Sequence, residues 1–361
     1  MRAILLSSGL AVICSLLATR LAIGWFTRHG FGQPIRDDGP MTHHVKRGTP
    51  TLGGLVILLT STAAYLVATL LTGGRPSASA LLLLLLFFGC GVVGFLDDFI
   101  KVYTQNNQGL TSRAKMAGQT VVALGFGLLA TTFFTDDRGV RPASLYISTT
   151  RDWGIKLPLV VVLLVIWFIV VATSNGANLT DGADGLLAGT SAMIFGAYTI
   201  VNIWQNNQQC GSLRPTVVES QCYQVRDPLD LAVFAAAIAA ACIGFLWWNA
   251  KPAQIIMGDV GSLAIGGALA GLAIMSRTEL LMVVIAGLFV LETLSVLVQM
   301  SYFKLTRRFT GTGRRVFRIA PIHHHFEHVG WDEVTVVIRF WIIAGLCVAA
   351  GLGIFYADWL G

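Results

Sequence analysis

The sequence predicts an all-α, polytopic integral membrane protein of about ten transmembrane helices, with its active site in cytoplasmic loops. Three observations lead there. Apolar residues make up 55% of the 361 residues and charged residues only 12%, against about 25% charged in a typical soluble domain. Mean hydropathy is +0.70, which excludes intrinsic disorder, a state that needs low hydrophobicity and high charge. Apolar runs of about 20 residues recur, and a helix needs about that many to cross the ~30 Å hydrocarbon core. A β-barrel would need short alternating strands, and blocks such as residues 81–88, all Leu or Phe, do not alternate.

Ten spans are expected, forming a single domain over residues 1–361. The first, 3–26, is too long for a signal-peptide core, is interrupted by Arg20 and has no small-x-small cleavage pattern after it. Span 51–71 follows a Pro-Thr entry, and 80–96 contains the Leu/Phe block and stops at Asp97 and Asp98. Spans 115–134, 158–174, 186–204 and 229–247 follow, with a Gly/Asn/Asp stretch between 158–174 and 186–204. Asp259 marks the start of 260–276; 280–303 carries a lone Glu292, read as a neutral carboxyl hydrogen-bonded between helices, and 335–357 ends the set. Cys14, Cys90, Cys242 and Cys347 lie in apolar runs and read as small buried hydrophobes. No internal repeat is found.

Alternation divides the connections into two sides. One side, comprising 27–50, 97–114 with Lys115 at its edge, 175–185, 248–259 and 304–334, carries 14 Lys or Arg; the other carries 9. The richer side is the cytoplasmic one by the positive-inside rule, so both termini face outward. The net charge of +6 reads as cationic loops against an anionic leaflet. No zinc-finger spacing, RNP motif or basic stripe suggests nucleic acid. Cys210 and Cys222 share one loop of the other side, 205–228, where a disulfide is possible; that loop receives no role.

The chemistry-bearing residues crowd the richer side. Asp97 and Asp98 repel each other unless a cation intervenes, and Lys101, three and four residues on, falls on the same helical face. In 175–185, Asn178, Asp181 and Asp184 recur every third residue among glycines. Such an oxygen array suits Mg²⁺, and the spacing is not that of an EF-hand. Gly258 and Gly261 bracket Asp259, leaving little bulk around its carboxylate, and Asn249 precedes them in the same connection. His323, His324 and His325 are consecutive, so they cannot all face one ion, and they suit phosphate better than zinc. Residues 46–54 offer Lys46, Thr51 and a flexible Gly53-Gly54 at a helix start, where anions are favoured. No GxGxxG or GxxxxGK[ST] occurs, so an ordinary nucleotide fold is not indicated. Together the five connections suit a Mg²⁺-bridged pyrophosphate, with one substrate from the cytosol and one membrane-bound.

Residues 46–54, 94–101, 175–185, 249–262 and 320–325, in that order, resemble the motifs of the phospho-N-acetylmuramoyl-pentapeptide transferases, a branch of the polyprenyl-phosphate N-acetylhexosamine-1-phosphate transferases. The resemblance implies ten helices with both termini outside, in the bacterial inner membrane, Mg²⁺ dependence and a homodimer. The implied reaction moves phospho-MurNAc-pentapeptide from its UDP-activated form to undecaprenyl phosphate, giving lipid I and UMP. By the same resemblance Asp259 is the principal Mg²⁺ ligand, and Asp97, of the pair with Asp98, helps to deprotonate or orient the lipid phosphate. Lys46, Lys101 and Lys115 face phosphate beside Thr51. Asn178, Asp181, Asp184 and Asn249 line the nucleotide-sugar pocket, and His323, His324 and His325 lie at the phosphate-sugar end. The chain departs from the family at Ile256, where an aromatic residue is common, and at Gly176, Ala177 and Ala183, which are smaller than usual.

Two other functions fit less well. A sister enzyme would transfer N-acetylglucosamine-1-phosphate to the same lipid, but the 49–54 and 321–325 motifs match it less closely. A secondary transporter would place its polar groups near the membrane midplane, whereas here they gather at one side.

Overall fold

A computed structural model describes residues 1–32, 48–104, 108–211 and 221–360. It contains twelve helices: α1 (Arg2–Arg28), α2 (Gly54–Leu71), α3 (Ala78–Thr104), α4 (Ser112–Thr132), α5 (Leu159–Thr180), α6 (Leu186–Asn207), α7 (Pro228–Asn249), α8 (Gly258–Met275), α9 (Glu279–Ile285), α10 (Gly287–Thr310), α11 (Ile322–Val329) and α12 (Glu333–Leu360). Ten are long and apolar enough to cross a membrane, as the hydropathy predicts. Among the described residues, β-structure is limited to three isolated bridges.

Helix α8 is the axis of the bundle. Every residue from Val260 to Met275 is buried, and it packs on α3, α5 and α2. Its sequence explains why three neighbours can approach so closely: small residues let helix backbones meet in a membrane. A Cβ on Gly261 would strike the backbone of Gly54 at the start of α2, one on Gly266 the backbone of Thr173 and Ser174 on α5, and one on Gly267 the Cys90 side chain on α3. Helices α1 and α6 flank α7 on the other side. A smaller apolar cluster, including Leu186, Leu288, Val336 and Phe340, seats α12 and α11 against α6 and α10.

Four expectations are corrected. Asp97 and Asp98 do not end a helix in a loop: α3 runs on to Thr104. No helix breaker follows them before Asn106 and Gly109, and Lys101 compensates both carboxylates from the same face. Likewise α5 continues through Thr180, so Asn175 and Asn178 are helical and the connection shrinks to 181–185. Gly176 is tolerated within that helix because it faces Thr293 and Phe289 of α10, where a Cβ would crowd Thr293 Oγ1. The span expected over 280–303 is broken at Ala286 into α9 and α10, where Gly287 fits closely against Cys347 of α12. The histidine segment, expected as a loop, forms α11.

Substitution at α8 tests this packing. Gly266→Ala should lower the melting temperature of the detergent-solubilised protein, since overpacking a tight core costs about 1–3 kcal/mol. Gly125→Ala, on a face of α4 where a Cβ meets nothing, should leave melting unchanged or raise it.

Candidate active site

Four elements bring charged or polar groups to the N-terminal end of α8. Asp97, Asp98 and Lys101 come from the last turns of α3, Lys115 from the first turn of α4, Asn178 from the end of α5, and Asp259 from the first turn of α8. Lys101 Nζ lies 2.5 Å from Asp97 Oδ2, 3.6 Å from Asp98 Oδ1 and 3.1 Å from Asp259 Oδ2. Lys115 Nζ lies 2.5 Å from Asp259 Oδ2 and 3.8 Å from Asp97 Oδ2. Asn178 Nδ2 donates to the other Asp259 oxygen at 2.7 Å and to Ser262 Oγ at 3.2 Å. The three aspartates therefore share two ammonium groups in a nearly buried setting, where ion pairing is much stronger than in water.

Main-chain donors fix the carboxylates further. Leu110 N–H donates to Asp97 Oδ1 at 2.8 Å, and Val260 N–H to Asp98 Oδ2 at 3.0 Å. Gly258 N–H donates to Asp181 Oδ2 at 3.1 Å. Gly258 adopts φ 75°, and a Cβ there would meet Asp98 Oδ2 and Thr51 Oγ1. The glycine is thus required by both conformation and space; it makes room for Asp98 and Thr51 more than it clears access to Asp259. Thr51 is buried beside Asp98.

The start of α2 departs from expectation. Gly53 N–H and Gly54 N–H donate to the carbonyls of Ile256 and Met257 at 3.0 and 2.8 Å, and Ile256 N–H donates to Pro50 at 2.8 Å. These donors bind backbone, so this helix start is a joint between two loops and offers no anion cradle. Leu52 is held there at φ 71°, a costly conformation for a bulky side chain. Lys46 lies outside the described residues.

Two further expected residues serve the frame. Asp184 Oδ2 accepts from Ala253 N–H at 3.1 Å, while its own N–H donates to Glu333 Oε1 at 2.9 Å. Asn249 accepts from Gly185 N–H at 3.2 Å and donates to the Ile255 carbonyl at 2.8 Å. Both side chains are buried and lock the 181–185 turn to the 250–257 connection. Lys251 adds a 3.2 Å pair with Glu333.

The three histidines separate. His323 and Glu292 are both fully buried, with His323 Nδ1 3.1 Å from Glu292 Oε1. On its other side His323 packs against Gly182, as does His324, so a Cβ on Gly182 would crowd both rings. His324 Nδ1 is 3.0 Å from Glu327 Oε2. His325 points elsewhere: its Nδ1 accepts from Arg318 N–H at 3.1 Å and its ring meets Phe317. Only His323 and His324 adjoin the turn that carries Asp181.

Sequence reasoning missed Gln119, Ser262 and Glu333. Gln119 is buried on α4 one turn after Lys115, donates to Ser174 Oγ at 2.9 Å and accepts from Asn175 at 3.1 Å. It clamps α4 to α5 and so sets the depth of Lys115. A lone Gln inside an apolar span was the available signal, since polar groups at that depth need partners.

Carboxylate oxygens of Asp97, Asp98 and Asp259 all lie within 4.8 Å of one another. An all-oxygen, anionic donor set fits a hard divalent ion such as Mg²⁺. Asp181, whose Oδ2 accepts from Gly258 N–H at 3.1 Å, lies beside this anionic set. Its carboxyl is held well above the usual carboxylate range, first because burial strips its water and then because Asp259 and Asp98 are close.

Comparison with known proteins supplies an independent line. Residues 80–277 match the glycosyl transferase family 4 profile. The chain is 65% identical, over 100% of its length and 99% of the relative's, to a phospho-N-acetylmuramoyl-pentapeptide-transferase of Nocardioides sp. strain JS614. Proteins of the same name from Cutibacterium acnes and Frankia casuarinae are 56% and 54% identical, each over 100% of this chain and 99% of their own.

Two outcomes test the geometry. With Asp181 protonated in the fold, the native state holds a proton that the unfolded chain releases above a pKa of about 3.9. In chelator-containing buffer, stability should fall as pH rises from about 4 toward neutrality, and Asp181→Asn should flatten that slope in melting curves. Separately, Glu292→Leu should lower the melting temperature more than His325→Ala, because an unsatisfied buried polar group costs about 1–3 kcal/mol.

Proposed function

We propose the function of this chain from one premise: it belongs to glycosyl transferase family 4 and, with a relative 65% identical along its whole length, to the phospho-N-acetylmuramoyl-pentapeptide-transferases. The reaction is transfer of phospho-MurNAc-pentapeptide from its UDP-activated form to undecaprenyl phosphate, giving lipid I and UMP. The observation that carries this reading is the convergence of Asp97, Asp98 and Asp259 with Lys101 and Lys115 at one end of a membrane bundle. Polyanion chemistry with one lipid substrate needs that placement.

An oxygen of the lipid phosphate attacks the β-phosphorus of the nucleotide sugar. The bond from that phosphorus to the oxygen bridging the α-phosphate breaks, and UMP leaves with the bridging oxygen and its electron pair. One pyrophosphate replaces another, so the exchange needs no ATP. Asp259, with Asp97 and Asp98, would hold Mg²⁺, which when bound offsets the charge of the pyrophosphate. Lys101 and Lys115 already stand at that spot on partners they can exchange for phosphate oxygens, so they stabilise charge developing on the leaving group. Asp97, fixed by Leu110 N–H, orients the acceptor phosphate. His323, fully buried between Glu292 and Gly182, holds the turn at 181–185 in place, and the partly exposed His324 beside it supplies a donor toward the sugar phosphate. An acceptor that is already anionic needs little activation, which favours direct attack over an acyl-phosphate on aspartate.

The disulfide between Cys210 and Cys222 supports the orientation. It follows the end of α6 opposite the 181–185 turn, and 22 helical residues span about 33 Å. Disulfides persist in oxidising compartments, so the disulfide end faces outward and the carboxylate end faces the cytosol, in agreement with the Lys/Arg bias.

Purified protein should release UMP from UDP-MurNAc-pentapeptide only when lipid phosphate and Mg²⁺ are both present, and should be inactive with UDP-N-acetylglucosamine. Asp259→Asn and Lys115→Gln should each lower kcat by at least about 10²-fold. A phosphosugar adduct trapped on the enzyme without lipid would overturn direct attack, and near-normal turnover by Asp259→Asn would remove the metal assignment.

A further inference from the structure

The C-terminal part of α10 and the segment after it carry a charge pattern that the reaction does not use. Lys304, Arg307, Arg308, Arg314, Arg315 and Arg318 are all exposed. Residues 293–326 contain no Asp or Glu, and no ion pair joins these six to an acid among the described residues. Such a run of cations repels itself and needs an anionic partner.

The fold concentrates these charges. After Gly311 the chain turns back along α10. Val316 N–H and Phe317 N–H donate to Gln299 Oε1, both at 3.0 Å, Gln299 Nε2 donates to the Phe317 carbonyl at 2.9 Å, and Arg314 N–H donates to Thr306 Oγ1 at 2.8 Å. Gly313 lies against the Phe303 ring, where a Cβ would not fit. Arg314 and Arg315 are thereby brought back beside the last turns of the membrane-spanning helix.

An apolar stripe runs through the same segment. Leu294, Val298, Tyr302, Leu305 and Phe309 recur at helical spacing, and all are exposed, Phe309 at 76%. The stripe that faces lipid along α10 thus continues to its final turn. Lys304, Arg307 and Arg308 flank it. Exposed Phe and Leu flanked by Arg and Lys mark a helix lying in the bilayer interface, with its cations at headgroup level.

We propose that residues 304–318, the end of α10 and its folded-back segment, form a binding surface for anionic phospholipid headgroups in the leaflet on the active-site side. The cations neutralise the lipid phosphates while Leu305 and Phe309 enter the acyl boundary. Clusters of four to eight Lys or Arg beside a transmembrane helix act in this way. The surface is separate from Asp97, Asp98 and Asp259, and its occupancy does not depend on the transfer reaction.

The test titrates the full-length protein in an uncharged detergent with fluorescent phosphatidylglycerol and, separately, phosphatidylcholine. The wild type should prefer phosphatidylglycerol, and the preference should weaken as salt is raised. K304Q/R307Q/R308Q/R314Q should weaken phosphatidylglycerol binding by at least about tenfold, whereas R307K/R308K/R314K, which keeps the charge, should retain it. Arg75→Gln, between α2 and α3 at the opposite end of the bundle, should change nothing. Equal binding of the two lipids by wild type, an unchanged preference in the quadruple Gln variant, or loss of binding in the triple Lys variant would each overturn the proposal. So would displacement of phosphatidylglycerol by inorganic phosphate at matched ionic strength, which would indicate a free-anion site.

Discussion

The close approach of three helices to α8 is the constraint on which the site depends. Gly261, Gly266 and Gly267 remove the side chains that would hold α2, α5 and α3 away. Each neighbour then delivers a polar group to the same place: Thr51 just before α2, Asn178 on α5, and Asp97, Asp98 and Lys101 on α3. In lipid, where helix association lacks an aqueous hydrophobic drive, such contact rests on packing and interhelical hydrogen bonds. The buried Gln119, bonded to Ser174 and Asn175, supplies one such bond and sets Lys115 on the fourth helix. Ångström-scale charge placement at the surface therefore originates in small residues deep in the bundle.

The second organising fact is electrostatic. Three aspartates within a few ångströms would repel one another, yet Lys101 and Lys115 bridge them. The same groups that compensate the carboxylates are those that polyphosphate would recruit. On the proposed function, a site so arranged would exchange these partners for phosphate without exposing bare charge, and electrostatic preorganisation of this kind costs little reorganisation.

Much of this was legible in the sequence. Hydropathy placed ten spans, and the 97, 98 and 101 spacing placed Lys101 on its aspartates, because helical periodicity is local. What was misread depended on tertiary partners. Asp97 and Asp98 looked like a helix stop, since the compensation from Lys115 and from Leu110 N–H arrives from another element. Asp184 and Asn249, expected at the nucleotide-sugar pocket, also carry framework bonds that no local spacing reveals: one oxygen of each accepts from Ala253 N–H and Gly185 N–H, respectively. The histidine run gave no hint that its members diverge; that follows from α11 being a helix with one face against Glu292 and another toward Arg318. Glu292 was visible as an isolated buried acid, but its partner lies 31 residues on, across a turn of chain.

The joint between residues 50–54 and 256–257 has an evolutionary meaning. Its hydrogen bonds run from main chain to main chain, from Gly53 to Ile256, Gly54 to Met257 and Ile256 to Pro50. Such bonds are indifferent to the side chain carried at 256. The floor beside the aspartates can thus keep its shape while that position drifts, so Ile256 can stand where an aromatic is common without moving Asp259. A change of side chain at this ledge is thereby uncoupled from the main-chain joint that seats the start of α8 against the start of α2.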